Sequence, residues 1–236
     1  MSSGNKAYHS RIAQDYWARH NWPIQQTTTI IETRLLSRYI PDGRTLLAGV
    51  GGGREIPALL TGEREIVALD SVGEMVAAGL ERFEGEGRVR WVVADMSALP
   101  LLSGSFDSVV SLAAVNYVEN LRAAVRDLLR VLRPGGVLAV SAISSAHRTE
   151  RKISPSRTRR AYRPAELTEL IESLGGKVEA VRRFRVIADL LPPGWNRPDQ
   201  GGPRRLVMNM SLQIDRCLAT VNAPLSSKFF WIVARR

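Results

Sequence analysis

A glycine-rich turn followed by a carboxylate is the part of this chain best suited to binding a ligand. The glycine turn at 49–53 follows the apolar run 46–48, and Asp70 ends a second apolar run at 66–69. Glycines let the backbone turn tightly and approach a ligand without a Cβ in the way. A helix predicted at 54–61 would offer unpaired N–H groups to an anion. Because an acid at the next strand end suits the two hydroxyls of a ribose, the segment predicts a nucleoside-cofactor site.

The spacing of these glycines argues against a nicotinamide cofactor. A dinucleotide-binding turn needs Gly-x-Gly-x-x-Gly, or Ala at the last position. Counted from Gly49, that position falls on Arg54, and counted from Gly51 it falls on Ile56. Neither residue is small, so an NAD-dependent enzyme is the weakest of the interpretations.

The elements that must position this site alternate along the chain, which predicts a parallel sheet with right-handed crossovers. Apolar runs bounded by turn residues predict further strands at 89–94, 108–111, 137–143, 177–187 and 228–234. Apolar periodicity with helix caps and breakers predicts helices at 121–132, 164–174 and 204–221. Ser71 is expected to cap a further helix directly after Asp70.

The ordered motifs resemble the class I S-adenosylmethionine-dependent methyltransferases, especially small members close to the ubiquinone/menaquinone methyltransferases. The resemblance covers about 44–186 and rests on the glycine turn, Asp70, Asp95-Met96, Phe106-Asp107 and Arg133-Pro134-Gly135-Gly136. It implies an α/β, Rossmann-like, doubly wound fold with a seven-stranded, mostly parallel sheet and an N-terminal helical lid. The last strand is expected to be antiparallel and inserted between the fifth and sixth. S-adenosyl-L-methionine is the implied cofactor.

The resemblance also implies roles for individual side chains. Asp70 is expected to accept both ribose hydroxyls and Asp95 the adenine amino group, with Met96 beside the ring. The expected cofactor contacts lie on the strand ends, the turns and the lid: Gly49, Val50, Gly51, Gly53, Asp70, Ser71, Asp95, Met96, Ser111 and Tyr16. A tight turn without a ligand and a capping role for Asp70 are the structural alternatives.

Leu47 departs from the family pattern. The family usually carries an acid two residues before the first glycine, where it helps to hold the methionine ammonium group of the cofactor. With Leu47 in that place, one part of the cofactor has no assigned partner.

Candidates for catalysis are few, because transfer from a sulfonium needs alignment and exclusion of water more than acid–base groups. Asn116 and Tyr117 follow the fourth strand and could orient an acceptor, although Tyr117 could equally serve packing. His147 follows the fifth strand and could act as a base, with a surface position as the alternative. No metal site is expected.

The chain, 1–236, is expected to form a single methyltransferase domain. Within it, 1–43 would be the helical lid, 44–143 the cofactor-binding half and 144–236 the substrate-side half. The lid segment contains Tyr16, whose ring either covers the cofactor or packs onto the core, and both interpretations stay open.

Charge and composition indicate the partners. The net charge is +10, but Arg outnumbers Lys 29 to 4, and scattered arginines are usually a solvated surface. A denser basic stretch at 148–163 is either an exposed loop or an anion-binding patch. A small organic methyl acceptor, anionic or a specialised metabolite, is therefore expected. An RNA methyltransferase and a non-catalytic cofactor-binding partner of another subunit are the alternatives, and the oligomeric state is undetermined.

A single cysteine, Cys217, excludes an intrachain disulfide and a thiolate zinc site. Helical spacing predicts that it lies in the core with other apolar residues of the same face: Leu206, Met210, Ile214, Leu218 and Val221. The sequence contains no apolar stretch approaching a membrane span and no hydrophobic region typical of a signal peptide. A cytoplasmic location is therefore expected.

Overall fold

A twisted sheet lies at the centre of the fold. The computed structural model describes residues 1–20, 22–145, 159–184, 190–192, 195–196, 201–221 and 229–236. In these ranges seven strands form one sheet, in the order β3-β2-β1-β4-β5-β7-β6. They are β1 (Gly43–Ala48), β2 (Arg64–Asp70), β3 (Val89–Val93), β4 (Phe106–Leu112), β5 (Leu132–Ile143), β6 (Lys177–Phe184) and β7 (Phe229–Arg235).

The pairing of these strands confirms the predicted fold class. The strands β1 to β5 pair in parallel. The last strand, β7, is antiparallel to both β5 and β6, between which it is inserted. In β5, Leu132 pairs with Phe106 and the regular pairing resumes at Val137 opposite Ser108, so this strand begins earlier than predicted.

Helices cover both faces of the sheet, as a doubly wound fold requires. They are α1 (Ser3–Ile12), α2 (Tyr16–His20), α3 (Pro23–Tyr39), α4 (Ile56–Leu59), α5 (Gly73–Arg82), α6 (Leu121–Val131), α7 (Pro164–Ser173) and α8 (Gly202–Val221). Successive strand residues point to opposite faces, so Leu46 packs with α6 and α7 while Leu47 packs with α3 and α4. None of the helices in the described ranges is long and apolar enough to cross a membrane.

The helix after the glycine turn is shorter than predicted. Only Ile56–Leu59 is helical, whereas the prediction covered 54–61. Pro57 lacks an N–H and occupies the first turn. Arg54 and Glu55 stand before it in non-helical turns and form an ion pair with a 3.1 Å N···O distance. The short helix therefore does not provide the anion-binding N-terminus that the sequence suggested.

The cap of α5 also differs from the prediction. The helix begins at Gly73 with Val72 as its N-cap residue, not Ser71. The Asp70 side chain makes the local contact instead, because its Oδ1 accepts a hydrogen bond from the Val72 N–H at 3.0 Å. Glu74 lies in the first turn, where an acid is favourable.

The predicted core face of α8 is wrong. Leu206, Met210 and Ile214 are 62%, 58% and 46% exposed, and Cys217 is exposed as well. The buried face consists of Met208, Ser211, Leu212 and Asp215. This face meets α3, where Thr27 and Thr28 are also buried. Because the interface between the two helices is partly polar, apolar periodicity selected the wrong side of α8.

Candidate functional site

A cavity of about 420 Å³ lies where the parallel strands end. Its lining includes Gly49 after β1, Asp70 at the end of β2, Leu112 at the end of β4 and Ile143 at the end of β5. The chain leaves β1 toward β2 on one side and reaches β4 on the other, so the cavity occupies the point where the strand order reverses. Its volume is within the range of about 300–1,000 Å³ that is usual for small-molecule sites.

The glycine turn forms one wall of the cavity. The Gly49 N–H donates to the Leu69 carbonyl at 2.7 Å, and the Gly51 N–H donates to Asp70 Oδ2 at 2.8 Å. Gly49 and Gly51 have φ of +74° and +56°, a region that residues with a Cβ rarely adopt. A Cβ on Gly51 would lie 3.0 Å from the Tyr16 ring. The turn is therefore closed to side chains both by conformation and by space.

Two of the expected turn contacts face the protein interior instead. Val50 is 4% exposed and packs in the core with α3 and α4. A Cβ on Gly53 would meet Phe83 and Trp91 at 3.0 Å. Neither Val50 nor Gly53 is among the lining residues in the described part of the chain.

Asp70 joins the glycine turn to the start of α5. Its two oxygens accept from the N–H groups of Gly51 and Val72, at 2.8 and 3.0 Å. Burial raises the pKa of Asp70, while the hydrogen bonds from backbone N–H groups act in the opposite direction. A carboxylate has about four lone-pair sites, so the backbone contacts do not use its full capacity to accept hydrogen bonds. The side chain and Ser71 beside it both line the cavity.

Asp95 and Met96 line the same cavity beyond the end of β3. Asp95 Oδ1 accepts from the Ser97 N–H at 2.8 Å, and Oδ2 accepts from the Met1 amino group at 3.1 Å. Partial burial acts to raise the pKa of Asp95, but these hydrogen bonds hold it below its ordinary value. The carboxyl group is thus an anionic acceptor at neutral pH.

The N-terminal helices lie along the cavity, where the lid was expected. Their lining residues come from one segment: Met1, Tyr8, His9, Ile12, Tyr16 and His20. Tyr16 covers the glycine turn and also packs beside Ala13, Val72 and Met75. The segment therefore combines the two roles that the sequence left open, because it covers the cavity and packs onto the fold.

The residues proposed for catalysis occupy different environments. Tyr117 lines the cavity, with its ring edge-on to that of His9 and 5.0 Å between centroids. Asn116 is 1% exposed, and its amide donates to the Arg160 carbonyl at 2.6 Å and accepts from the Ile143 N–H at 3.2 Å. Asn116 therefore connects the end of β5 to the backbone at Arg160 and has a structural role. Ser111 is 0% exposed inside β4, and His147 lies outside the described residues.

Several lining residues were missed by the sequence reasoning. One of them is His20, at the end of α2. Its Nδ1 lies 2.6 Å from the Tyr16 carbonyl oxygen. Burial lowers the pKa of His20 to about 4, so its ring is neutral at physiological pH. His9, in the lid segment, lines the cavity as well. In the described ranges no group of three or more His, Cys, Asp or Glu side chains is placed to hold a metal ion.

A buried ion-pair cluster was also missed. Arg54 Nη2 lies 2.5 Å from Glu32 Oε2 and 3.1 Å from Glu55 Oε1, and all three side chains line the cavity. Glu32 and Glu55 are 1% and 6% exposed. Arg54 and Glu55 directly follow the glycine turn, which is the one signal that could have drawn attention to them. Glu32 lies in α3, where nothing in the sequence distinguishes it from a surface residue.

Comparison with known proteins identifies relatives for much of the chain. Residues 46–140 match a family model described as a methyltransferase domain. The chain is 34% identical over 133 residues to a malonyl-[acyl-carrier protein] O-methyltransferase of Enterobacter lignolyticus, covering 56% of this chain and 51% of that protein. It is 30% identical over 181 residues to a probable S-adenosylmethionine-dependent methyltransferase of Mycolicibacterium smegmatis, covering 75% and 65%. The chain thus spans about half to two thirds of these relatives.

Solved structures show the same fold at lower identity. This chain superposes with a TM-score of 0.71 on a chain of a solved complex. That complex is between the Haloferax volcanii Trm112 methyltransferase activator and the putative methyltransferase. The match covers 96% of both chains at 17% sequence identity. At this identity the likeness concerns the fold alone.

Proposed function

We propose that the chain is a class I S-adenosylmethionine-dependent methyltransferase and that it transfers the methyl group of this cofactor to a small organic acceptor. The observation that carries the proposal is the convergence of Gly49, Gly51, Asp70 and Asp95 on one cavity at the carboxyl edge of the sheet. The methyltransferase assignment is the coarser part of this proposal, and the acceptor and the atom methylated are its finer part.

The residues present fit the cofactor. Asp70 has lone pairs left for the two ribose hydroxyls after its two backbone contacts. Asp95 can accept from the adenine amino group, and the Met96 thioether suits the flat face of the ring. Gly49 and Gly51 carry no Cβ and line the cavity with their backbone. Leu47, which is 1% exposed and packed in the core, contributes nothing to the ammonium group.

The cofactor, when bound, supplies an activated methyl group on a positively charged sulfur. The contribution of the chain is to bind, to align and to exclude water. The lid residue Tyr16 lies against the glycine turn. Ala113, at the end of β4, has a φ of +54°, and its N–H donates to Ser141 Oγ at 2.9 Å. A non-glycine residue keeps such a conformation where its surroundings fix it, and here the hydrogen bond to Ser141 is one such contact.

Tyr117 is the described residue best placed to orient the acceptor. It follows Ala113 and Ala114 along the cavity wall, and its ring packs edge-on against His9. With the ring fixed by this contact, the hydroxyl can hydrogen-bond a polar atom of the acceptor. A role for His147 as a base stays a prediction.

Arg159 favours an acceptor with a negative charge. Of the basic stretch 148–163, Arg159 lines the cavity, whereas Arg160 is exposed and lies near the Tyr162 ring at 6.0 Å. An arginine at a cavity matches a carboxylate or phosphate in both charge and geometry. We therefore place an anionic group of the acceptor beside Arg159.

The experiment that tests the function follows the methyl group directly. A cell extract is incubated with the purified chain and deuteromethyl-labelled cofactor, and small molecules are searched by mass spectrometry for the label. A labelled metabolite supports the proposal. A label found in RNA instead would favour the RNA methyltransferase alternative, and binding of the cofactor with no transfer under any condition would favour the non-catalytic alternative.

The acceptor site is tested by a matched pair of arginines once a labelled metabolite is known. Arg159→Ala is expected to raise the acceptor KM with little change in the cofactor KM. Arg160→Ala, in the same loop, is the control and should behave like the wild type. Equal acceptor KM values in both variants would remove Arg159 from the acceptor site.

A further inference from the structure

The cofactor site lacks a carboxylate at the place where the family pattern puts one. Leu47 stands near the end of β1 and packs among apolar residues on the α3 side of the sheet. A cationic ammonium group brought to this edge needs a counter-charge, because an unpaired charge away from water is costly. A carboxylate from another element would supply this counter-charge.

Glu32 reaches the same face of the sheet from α3. Its Oε1 accepts a hydrogen bond from Ser141 Oγ at 3.2 Å. Ser141 pairs with Leu112, and Leu47 pairs with Val110 two residues earlier in β4. The same face of the sheet therefore carries Leu47, Val110, Leu112 and Ser141. The Ser141 contact of Glu32 lies two residues closer to the carboxyl edge of the sheet than Leu47 does. The carboxylate of Glu32, from α3, thus lies in the region where an acid at position 47 would place its own carboxylate.

Glu55 brings a second buried carboxylate to this region. Its Oε1 is paired with Arg54 at 3.1 Å, and its Oε2 has no hydrogen-bond partner among the described residues. Arg54 is also tied to Thr29, whose Oγ1 accepts from Nη1 at 3.1 Å. With both glutamates ionised, one guanidinium faces two carboxylates. The cluster therefore carries one negative charge in excess, inside a cavity that one cation could neutralise.

We propose that Glu32 and Glu55, held on either side of Arg54, form the subsite for the ammonium group of the cofactor's methionine moiety, in place of the acid absent at Leu47. The inference rests on the proposed function, since it assigns a binding role within the same cavity. Arg54 is the positioning residue, because it fixes both carboxylates. Its single positive charge neutralises only one of them, so the cluster keeps a net charge of −1 when both glutamates are ionised.

The charges around Glu55 agree with this assignment. Burial raises the pKa of Glu55 to about 7, with Arg54 acting against the shift and Glu32 and Asp70 adding to it. Tyr16 is uncharged because burial raises the pKa of its hydroxyl, and His20 is neutral above about pH 4. The cluster without a ligand thus takes up a proton near neutrality. An ammonium group would replace that proton, so its affinity should rise with pH through about 7.

The test measures binding instead of turnover. Isothermal titration calorimetry compares S-adenosylhomocysteine with its desamino analogue, in which a hydrogen replaces the ammonium group. The proteins are the wild type, Glu32→Gln, Glu55→Gln and the control Glu65→Gln, an exposed glutamate of β2. A charge-assisted hydrogen bond is worth about 1.5–3 kcal/mol, which corresponds to a change in affinity of about 10- to 100-fold.

The expected pattern is specific to the ammonium group. The wild type and Glu65→Gln should bind S-adenosylhomocysteine about 10- to 100-fold more tightly than the desamino analogue. Glu32→Gln and Glu55→Gln should lose this preference while binding the desamino analogue like the wild type, which also shows that they are folded. Proton release on binding at pH 7, measured in buffers of different ionisation enthalpy, should disappear in Glu55→Gln.

Two failures are distinguishable. If the wild type binds both compounds equally, or if the glutamine variants keep the full preference, the ammonium assignment is wrong while the cofactor site stands. If the wild type binds neither compound, the proposed function itself fails and the assignment falls with it. The wild-type comparison needs no variant, so the assignment stays testable even if a buried substitution prevents folding.

Discussion

Gly49→Ala is the substitution whose cost the structure specifies most fully. Gly49 has a φ of +74°, and in an L-residue that conformation costs about 1–2 kcal/mol. The new Cβ would also lie 2.3 Å from Ala114 Cβ and 3.0 Å from Met96 Cε. Forcing an extra methyl group into such a space costs about 1–3 kcal/mol more. The expected loss in the free energy of unfolding is therefore about 2–5 kcal/mol, a large part of the typical 5–15 kcal/mol.

Two further variants, Gly85→Ala and Ala114→Gly, separate the conformational cost of Gly49→Ala from its packing cost. Gly85 has a φ of +82°, and a Cβ there meets nothing within 4 Å, so Gly85→Ala should cost only the conformational part, about 1–2 kcal/mol. Ala114→Gly removes the atom nearest to the new Cβ. In the double variant Gly49→Ala/Ala114→Gly the packing part should be recovered, because only the flexible end of Met96 still has to move.

The assay is urea unfolding followed by circular dichroism, with calorimetric titration of S-adenosylhomocysteine as the second readout. Gly49→Ala should be less stable than Gly85→Ala and should bind the product more weakly, since Gly49 lines the cavity and Gly85 is remote from it. Equal stabilities of the two variants, or no recovery in the double variant, would refute the argument that the turn is closed by a steric contact.

Three further outcomes are expected. Asp70→Asn should weaken binding of S-adenosylhomocysteine about 10- to 100-fold, because an amide offers one acceptor oxygen where two are used; unchanged calorimetric affinity would contradict the ribose contact. His20 is expected to contribute a loss of stability as the pH falls from 6.5 toward 4, since burial lowers its pKa to about 4. Without ligand, Glu55 is expected to contribute a loss of stability as the pH rises from about 4.5 to about 7, since burial raises its pKa to about 7. Because these two contributions oppose each other where they overlap, each is measured by urea unfolding as a difference from the wild type: His20→Gln should gain relative stability as the pH falls and Glu55→Gln as the pH rises, and a difference independent of pH would exclude the effect.

The sheet and the strand ends were predictable because they follow from local patterns. Apolar runs of strand length alternate with helices along the chain, and such alternation allows few topologies. The carboxyl ends of parallel strands meet at one edge, and Asp70 and Asp95, each at the end of a predicted strand, both line the cavity. The inserted position of β7 came from the family resemblance, not from the residues of the strand itself.

The phase of α8 and the length of α4 were not predictable from the same patterns. Helical periodicity assigns the more apolar side to the interior, but α8 buries Ser211 and Asp215 against the threonines of α3. Similarly, the residues after the glycine turn have ordinary helix propensity, yet Arg54 and Glu55 are held in turns by a buried ion pair. In both places a tertiary polar contact outweighs the local signal.

Glu32 shows why the remaining part of the site could not be predicted from the sequence. Sequence comparison can reveal that position 47 lacks its acid, because motif positions are counted along one strand. It cannot reveal a substitute from α3, since the distance from Glu32 to Ser141 spans 109 residues of sequence and is closed only by packing. A glutamate in a lead-in helix is normally a solvated residue, whereas this one is 1% exposed and paired with Arg54. Burying such a cluster with an excess negative charge lowers stability unless a cation completes it, so its position in the cofactor cavity is best explained by a cationic ligand.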